Sequence, residues 1–210
     1  MIGCKLCREA ACVRVCLHAR RTFLHCPACG LVFVPDGEHL TVEAERSRYD
    51  RHDNTPSNLD YRRFLSELAD AVDQLDLGSG TILDFGAGKH AVLTQLLQER
   101  GRRARDYDPL YDRGLDALAE RYDLVILCEV IEHLRDLGGE LTKLQSCLRP
   151  GGRVLLRTQI YPAVDNIADW WYSRDPTHLN FLSRDTVATV AALLHKTAVT
   201  ALADDLFLIA

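Results

Sequence analysis

The sequence predicts an α/β fold: a doubly wound, mostly parallel sheet with a C-terminal antiparallel hairpin, preceded by a small cysteine-rich segment. From Leu77 onward, short apolar runs alternate with amphipathic stretches, a pattern typical of strands and helices that build a parallel sheet covered on both faces. The last 13 residues hold two apolar runs around a turn at Ala203–Asp205. Six of the eight cysteines fall within the first 29 residues.

Each element follows from its local pattern. The strands are predicted at "TILDF", "RARDYDP", "YDLVILCEV" and "RVLLRTQ". The helices are predicted at "YRRFLSELADAVDQL", "AVLTQLLQERG", "LGGELTKLQSCLRPGG" and "SRDTVATVAALLHKT". Ser183 is the predicted N-cap of the last helix, and a Pro-Gly-Gly stop is predicted to end the helix before it. "DRHDNTPSNLD" is predicted to be a loop.

Composition divides the chain into three regions and excludes some classes of protein. We predict a cysteine-rich domain at 1–35, a linker with a lid helix at 36–76, and the main α/β domain at 77–210. Hydrophobic content of 47% and charged content of 26% are ordinary for a globular protein, and the net charge of −5 argues against a broadly basic nucleic-acid surface. Because no apolar run approaches the roughly 18–20 residues of a membrane span and the N-terminus lacks a signal-like apolar core, we expect no membrane partner and a cytoplasmic location.

Two C-x2-C pairs, "CKLC" and "CPACG", are separated by 18 residues. This spacing places four thiolates around a tetrahedral Zn²⁺, and a closed site of this kind is structural. A segment this short buries little core, so the metal would supply its folding energy. The segment resembles a zinc ribbon with the ligands Cys4, Cys7, Cys26 and Cys29. The alternative is four merely buried thiols, and four further residues are surplus candidate ligands: Cys12, Cys16, His18 and His25.

A glycine turn follows the first strand of the main domain, in the run Asp84-Phe85-Gly86-Ala87-Gly88-Lys89-His90. The dinucleotide fingerprint G-x-G-x-x-G is incomplete here, and an acidic residue precedes the turn. The carboxylate of Asp84 would repel a pyrophosphate, but it could order the loop amides or accept from an ammonium. The turn therefore favours a nucleoside with a cationic amino-acid tail. The alternative is a plain strand-to-helix turn.

This turn resembles the first motif of class I S-adenosylmethionine-dependent methyltransferases, which have a Rossmann-like sheet. The resemblance begins near Arg48 and also covers "ARDYDPLYD", "RYDLVILCEVIEHL" and "LRPGGRVLLRT". It departs from the family at His90, which replaces the last glycine, and in the short stretch between Asp108 and Asp123. It implies S-adenosyl-L-methionine as cofactor, bound by Asp84, Gly86, Gly88, Asp108 and Glu129. Asp108 would hold the ribose hydroxyls, with Asp106 as the alternative.

Catalytic candidates lie after the later strands, because ligands of open α/β sheets bind beyond the carboxyl ends of the strands. We predict His178 and His133 as catalytic, since an imidazole suits a base near neutral pH. A turn that fixes "DPTH" is the alternative for His178. The small-RNA 2′-O-methyltransferases and ubiquinone-pathway O-methyltransferases carry a run similar to Glu129, Glu132 and His133, which implies a second metal. Similar runs also occur in enzymes that use no metal there.

Two further segments are candidates for covering the site. Trp170, Trp171 and Tyr172 are predicted either to wall an acceptor pocket or to form a packed lid. The stretch with Tyr49, His52 and Asn54 resembles a lid over the cofactor in zinc-ribbon-bearing bacterial methyltransferases, and a solvated linker is the alternative.

The sequence as a whole therefore predicts an S-adenosylmethionine-dependent methyltransferase with an N-terminal zinc ribbon. Its partner would be a small-molecule or macromolecular methyl acceptor. Nucleic acid stays open as a partner, although the net charge does not indicate it. Two alternatives stay open. One is a metal-assisted O-methyltransferase acting on RNA or a polyphenol. The other is a catalytically inactive zinc-ribbon binding module, which His90 in place of glycine favours.

Overall fold

A computed structural model describes residues 2–9, 12–18 and 21–210 of the chain, and the side chains of residues 16–18 lie outside that description. In the described part, the strands form two sheets, ordered β1-β2-β3-β8 and β5-β4-β6-β7-β10-β9. The strands are β1 Val13–His18, β2 Arg21–His25, β3 Val32–Phe33, β4 Thr81–Phe85, β5 Arg103–Tyr107, β6 Tyr122–Cys128, β7 Leu148–Arg157, β8 Asn180–Phe181, β9 Val199–Ala201 and β10 Leu206–Ile209.

The larger sheet is mostly parallel, as predicted. β4 pairs in parallel with both β5 and β6, with Asp84 opposite Asp106 and Ile126. β9 and β10 form the predicted antiparallel hairpin, with Phe207 opposite Ala201. The predicted α/β fold class is therefore confirmed.

The smaller sheet is antiparallel and joins distant parts of the chain. β1 pairs with β2, β2 with β3, and β3 with β8, so that Val32 lies opposite Phe181. One apolar cluster is buried against this sheet and takes side chains from both ends of the sequence: Phe23, Val32, Val34, Tyr161, Ile167, Tyr172, Leu179 and Phe181. The burial of these large side chains stabilises the pairing of the cysteine-rich segment with β8.

The helices are α1 Val42–Tyr49, α2 Leu59–Asp73, α3 Val92–Glu99, α4 Leu137–Cys147 and α5 Arg184–Leu193. Ser183 is the N-cap of α5, as predicted, and forms a capping box with Thr186. Asn58 caps α2 by accepting hydrogen bonds from the amides of Asp60 and Tyr61. Among the described residues, no helix combines the length and the apolar character needed to cross a membrane.

Two local predictions were wrong. α4 ends at Cys147, and the Pro-Gly-Gly run predicted to close it lies inside β7. The helix ends early because the residue before a proline avoids the helical region, and Gly151, with a φ of 76°, lets the strand turn. α1 was missed because its residues carry no apolar stripe. The helix is stabilised instead by charges that interact favourably with its dipole: Glu43 and Glu45 near its start, and Arg46 and Arg48 near its end.

The described chain divides into two compact units. One, which we call the cysteine unit, comprises Met1–Thr41, Glu129–Gln145 and Leu156–Ala210. The other, which we call the glycine-turn unit, comprises Val42–Cys128 and Ser146–Leu155. The predicted boundaries at residues 35 and 76 stay a prediction.

Candidate functional site

The glycine turn connects β4 to α3 in the glycine-turn unit. The amides of Gly86 and Ala87 both donate to the carbonyl oxygen of Tyr107, at 2.7 and 3.1 Å. Gly86 and Gly88 have φ values of 81° and 68°, which glycine adopts without strain. A Cβ added at Gly88 would meet no heavy atom within 4 Å. The turn is therefore open on that side, and a ligand can approach its backbone.

Asp108, at the end of β5, ties this turn to the neighbouring strand. Its Oδ2 accepts a hydrogen bond from the amide of Gly88 at 2.8 Å, and its Oδ1 accepts from the amides of Leu110 and Tyr111 at 2.9 and 3.3 Å. Burial raises the pKa of this carboxyl, while the backbone hydrogen bonds oppose the rise. Each carboxylate oxygen has two lone pairs, so Asp108 retains capacity to accept from a bound hydroxyl.

Asp84, the predicted partner of the amino-acid tail, is 3% exposed. Its Oδ2 accepts from the amide and the hydroxyl of Thr94 in α3, at 3.2 and 2.9 Å. Burial raises the pKa of this carboxyl to about 7. Asp84 thus binds one backbone amide, in the helix that follows the turn, rather than the amides of the turn itself. Its role toward the amino-acid tail stays a prediction.

Asp106, the alternative ribose acceptor, is paired instead with Arg113, whose Nη2 lies 2.8 Å from its carboxylate. The predicted lid stretch lies in the same unit, and Asp50 contacts the turn through Lys89 Nζ at 3.0 Å. Tyr111 also donates to Asp50, at 3.4 Å. These contacts place the segment after α1 beside the glycine turn. Tyr49 donates within α1 to Glu45, and its ring centroid lies 6.3 Å from that of His52.

A buried pair of carboxyls lies in the cysteine unit. The Tyr172 hydroxyl lies within hydrogen-bond distance of Glu132 Oε1 and 2.9 Å from Glu129 Oε2, and Thr158 Oγ1 donates to Glu132 Oε2 at 3.1 Å. Burial raises the pKa of Glu129 and, further, that of Glu132, which the nearby Glu129 also raises. The Tyr172 hydroxyl has one proton, so it can donate fully to only one of the two carboxyls. Its contact with the other carboxyl is favourable when that carboxyl is protonated and donates to the phenol oxygen.

Glu129 itself has two unusual features. Its φ is 53°, in the left-handed region that side chains seldom occupy. Its Oε1 is buried without a hydrogen-bond partner among the described residues. Such an orphaned carboxyl oxygen is costly unless a ligand or proton donor occupies the space before it.

The two predicted catalytic histidines are neighbours. His133 Nδ1 lies 3.0 Å from the carbonyl oxygen of Thr177, and His178 Nδ1 lies 2.7 Å from that of Tyr172. Because a carbonyl oxygen only accepts, both Nδ1 atoms carry the proton and both Nε2 atoms are acceptors in the neutral rings. The ring centroids are 4.7 Å apart. The structure thus brings His133, His178 and Glu132 together, with ligand atoms within 4.8 Å of one another.

The aromatic run after β7 has buried and exposed members. Tyr172 is buried against His178, with ring centroids 4.0 Å apart, whereas Trp171 is 63% exposed. Trp170 packs against Phe181 at a centroid distance of 6.2 Å. Sequence reasoning named Tyr172 only as part of a wall and missed its hydroxyl. It also missed Thr158, for which no local motif gives a signal.

The four predicted zinc ligands also converge. The sulfur atoms of Cys4 and Cys29 are 3.6 Å apart, those of Cys7 and Cys26 are 3.5 Å apart, and all four lie within 4.8 Å of one another. The hydrogen bond from Cys29 lowers the pKa of the Cys4 thiol to about 5. Cys12 and His25 lie outside this group, and the side chains of Cys16 and His18 lie outside the described residues.

The second cysteine knuckle is anchored to the C-terminal part of the cysteine unit. Thr186 Oγ1 donates to the carbonyl oxygen of Cys29 at 2.9 Å, and the Tyr161 hydroxyl donates to that of Gly30 at 2.6 Å. Gly30 has a φ of 71°, and a Cβ there would collide with Ser183 Oγ. This glycine is therefore required both by its conformation and by the close approach of the α5 N-cap.

Comparison with known proteins assigns the chain to a class. Residues 51–193 match a family model described as a methyltransferase domain. The chain belongs to this family, and its matched range includes the glycine turn and both histidines.

Individual relatives agree with this class over part of their length. The chain is 33% identical over 82 residues to a ubiquinone biosynthesis O-methyltransferase of Cereibacter sphaeroides, which covers 39% of the chain and 33% of the relative. The chain thus spans about a third of the curated relatives that it matches.

Solved structures share the fold. An O-methyltransferase family protein from Burkholderia thailandensis superposes with a TM-score of 0.56 at 16% identity, over 79% of this chain and 61% of that one. A SAM-dependent methyltransferase from Archaeoglobus fulgidus gives a TM-score of 0.52 at 18% identity, over 66% and 71%.

Proposed function

We propose that the protein is an S-adenosylmethionine-dependent methyltransferase with a structural zinc ion in its N-terminal ribbon. The observation that carries the proposal is the glycine turn after β4, which is held to Asp108 at the end of β5, within a chain of the methyltransferase domain family. The ubiquinone biosynthesis O-methyltransferase relatives favour an oxygen acceptor, such as a phenol, over other methyl acceptors.

The residues of the turn fit the methyl donor. The open side of Gly88 admits the amino-acid tail of the nucleoside against the backbone. Asp108 would accept from the ribose hydroxyls while it holds Gly88, and Asp84 would keep the start of α3 in place. When bound, the cofactor would supply a methyl group activated by its sulfonium.

The histidines supply the complementary chemistry. With its Nδ1 proton fixed on the Tyr172 carbonyl, His178 presents Nε2 as a base that can take the proton of an acceptor hydroxyl. His133 is oriented in the same way by Thr177 and would be the alternative base. We propose His178 as the catalytic base, with Glu129 and Glu132 near it as a buried acidic pair.

The test of the donor site is calorimetry on the zinc-loaded full chain. We expect binding of both S-adenosylmethionine and S-adenosylhomocysteine. Because Asp108→Asn removes a charged acceptor whose hydrogen bonds contribute about 1.5–3 kcal/mol, it should raise the Kd for S-adenosylhomocysteine roughly 10- to 100-fold. Asp112→Asn is the matched control, since this exposed residue has a φ of 51° that asparagine tolerates. Absence of binding to both nucleosides would leave the inactive binding module as the better reading.

The zinc proposal rests on the sulfur geometry. With Zn–S bonds of about 2.3 Å, a tetrahedral site has sulfur–sulfur distances of about 3.8 Å. The distances of 3.5 and 3.6 Å within the two sulfur pairs fit such a site. The amide of Leu6 also donates to Cys4 Sγ at 3.4 Å, as expected for a thiolate ligand. Cys4, Cys7, Cys26 and Cys29 would hold the ion, and its role would be structural because four protein ligands close the site.

A second candidate function has one specific observation in its favour. Glu132, His133 and His178 each offer one ligand atom, and the three atoms lie within 4.8 Å of one another. A divalent cation there would make the enzyme a metal-assisted O-methyltransferase. Titration of the zinc-loaded chain with Mn²⁺, followed by electron paramagnetic resonance, tests this: binding that His133→Ala abolishes and His52→Ala leaves intact would favour it. The acceptor and the cytoplasmic location remain predictions.

A further inference from the structure

The loop before β8, residues 172–178, carries the carbonyl groups that orient both histidines. Tyr172 O accepts from His178 Nδ1, and Thr177 O accepts from His133 Nδ1. Within the loop, the Asp175 carboxylate accepts from the amide and the hydroxyl of Thr177, at 2.9 and 2.7 Å. The position of these backbone groups decides which ring nitrogen of each histidine carries the proton.

One side chain from the cysteine ribbon binds the same loop. Arg21, the first residue of β2, donates from Nη1 to the carbonyl oxygens of Ser173 and Asp175, at 2.7 and 3.0 Å, and from Nη2 to that of His178. Its guanidinium also lies over the ring of Phe23, 5.4 Å from the centroid. Burial lowers the pKa of Arg21, and the carboxylates of Asp175 and Glu38 oppose this change.

An arginine is better suited than a lysine to bind the three carbonyl oxygens of the 172–178 loop. The three carbonyls lie outside the strands, and buried carbonyls need donors. The Asp175 carbonyl also accepts from the amide of His178, at 3.1 Å. A planar guanidinium offers five N–H donors in a fixed fork and can serve three carbonyls at once. The compact ammonium of a lysine cannot reproduce this fork. β2 itself is fixed by pairing with β3, which in turn pairs with β8 directly after the loop.

We infer that Arg21 is a positioning residue for the proposed active site: the cysteine ribbon holds the 172–178 loop through this guanidinium and thereby fixes the imidazole of His178. The ribbon then serves catalysis through the loop, without contact to a substrate. The inference rests on the proposed function insofar as His178 acts as the base, and it adds a role for the ribbon that the zinc site alone does not give.

The experiment measures the histidine tautomers by long-range proton–nitrogen NMR on the zinc-loaded full chain, with His178→Gln and His133→Gln used to assign the signals. In the unmodified protein, His178 should be protonated at Nδ1. In Arg21→Lys, we expect at least about a third of His178 to be protonated at Nε2, because the Tyr172 carbonyl is no longer held against Nδ1. Arg14→Lys is the control, since Arg14 is an exposed residue of the adjacent strand β1.

Three further measurements distinguish the positioning of His178 by Arg21 from a purely structural role of Arg21. Zinc content and the Kd for S-adenosylhomocysteine should stay within about twofold in Arg21→Lys. In Arg21→Ala, millimolar guanidinium should restore the Nδ1 tautomer, and the same concentration of tetramethylammonium should not.

An unchanged His178 tautomer in both Arg21 variants would overturn the inference, as would loss of zinc with the tautomer retained. Because the tautomer is measured without cofactor, failure to bind S-adenosylhomocysteine would count against the proposed function alone.

Discussion

Asp84 shows how one buried carboxyl links the glycine turn to the pH dependence of the protein. It is 3% exposed, and its hydrogen-bond donors come from Thr94. Burial outweighs these hydrogen bonds and raises the pKa to about 7. A carboxyl with a raised folded pKa stabilises the folded state most when it is protonated, below its unfolded pKa, and this stabilisation is lost as the pH rises through the folded value.

We therefore expect Asp84→Asn to flatten the fall in the free energy of unfolding between about pH 4 and pH 7. Asparagine keeps an acceptor for Thr94 and carries no charge, and each pKa unit corresponds to about 1.4 kcal/mol. Urea denaturation of the zinc-loaded protein and variant at a series of pH values measures the difference.

Asp60→Asn is the control for this prediction, because the side chain of Asp60 is 90% exposed. Parallel curves for Asp84→Asn and the unmodified protein would show that Asp84 titrates normally in the folded state.

At the same scale, the sequence predicted well which residues lie close together. It predicted less well which groups each of these residues contacts. The pairing of Cys4 and Cys7 with Cys26 and Cys29 followed from spacing, because C-x2-C geometry is local. The neighbours His133 and His178 are 45 positions apart in sequence, and a strand-end argument placed them together. The contacts of Arg21 and Tyr172 with distant backbone and carboxyl groups carry no local pattern and required the structure.

At the scale of single elements, α5 supports the second cysteine knuckle. Its N-cap Ser183 and its Thr186 form a capping box, and Thr186 Oγ1 also donates to the carbonyl oxygen of Cys29. The start of one helix therefore stabilises both itself and a proposed zinc ligand.

Thr186→Val should accordingly speed the loss of zinc. The substitution preserves the side-chain shape but removes the hydroxyl, leaving the Cys29 carbonyl without this donor at a cost of about 1–3 kcal/mol. We expect zinc release to a chromophoric chelator to be at least several-fold faster than in the unmodified chain.

Thr189→Val provides the comparison, because Thr189 lies in the same helix and its hydroxyl donates to the carbonyl oxygen of Asp185 within α5. Equal release rates for the two variants would show that the Thr186 hydroxyl does not support the knuckle.

The elements also show where patterns succeed and fail. α2, α3 and α5 have an apolar stripe or a side-chain cap, and the sequence predicted all three. α1 has neither a stripe nor a continuous apolar run, so periodicity gave no signal. The start of β7 was misassigned because the Pro-Gly-Gly run is a stop signal for a helix but also suits a bent strand entrance.

At the scale of the whole molecule, the ribbon and the C-terminal segment share one sheet and one core within the cysteine unit. Residues from β2, β3, β8 and the loop before β8 pack in the same apolar cluster. The proposed zinc ion would therefore stabilise far more of the chain than the 35 residues predicted to form the ribbon.

We expect removal of zinc to increase amide hydrogen exchange both at 21–34 and at 172–187, with less change at 81–99 in the glycine-turn unit. The reason is that the first two segments pair through β3 and β8. Exchange mass spectrometry before and after chelation, with zinc restored as the reversal control, measures this. Exchange that rises only within the first 35 residues would show that the ribbon unfolds independently.

The completion of the smaller sheet was the least predictable feature at this scale. Alternation of strands and helices predicted a mostly parallel sheet from Leu77 onward, because each unit of that pattern is local. Nothing in the cysteine segment indicates that its sheet is completed by β8, which is two residues long and lies far along the chain. Pairing of this kind depends on tertiary packing rather than on propensity.

The bond between Thr186 and Cys29 spans 157 residues, and this separation has a consequence for synthesis. During translation, the amino-terminal strands emerge long before β8, so the free edge of β3 is unpaired while most of the chain is made. Early metal capture by the four thiolates would hold that edge in a defined shape until its last strand arrives. Nascent chains deprived of zinc should accordingly aggregate at the ribosome.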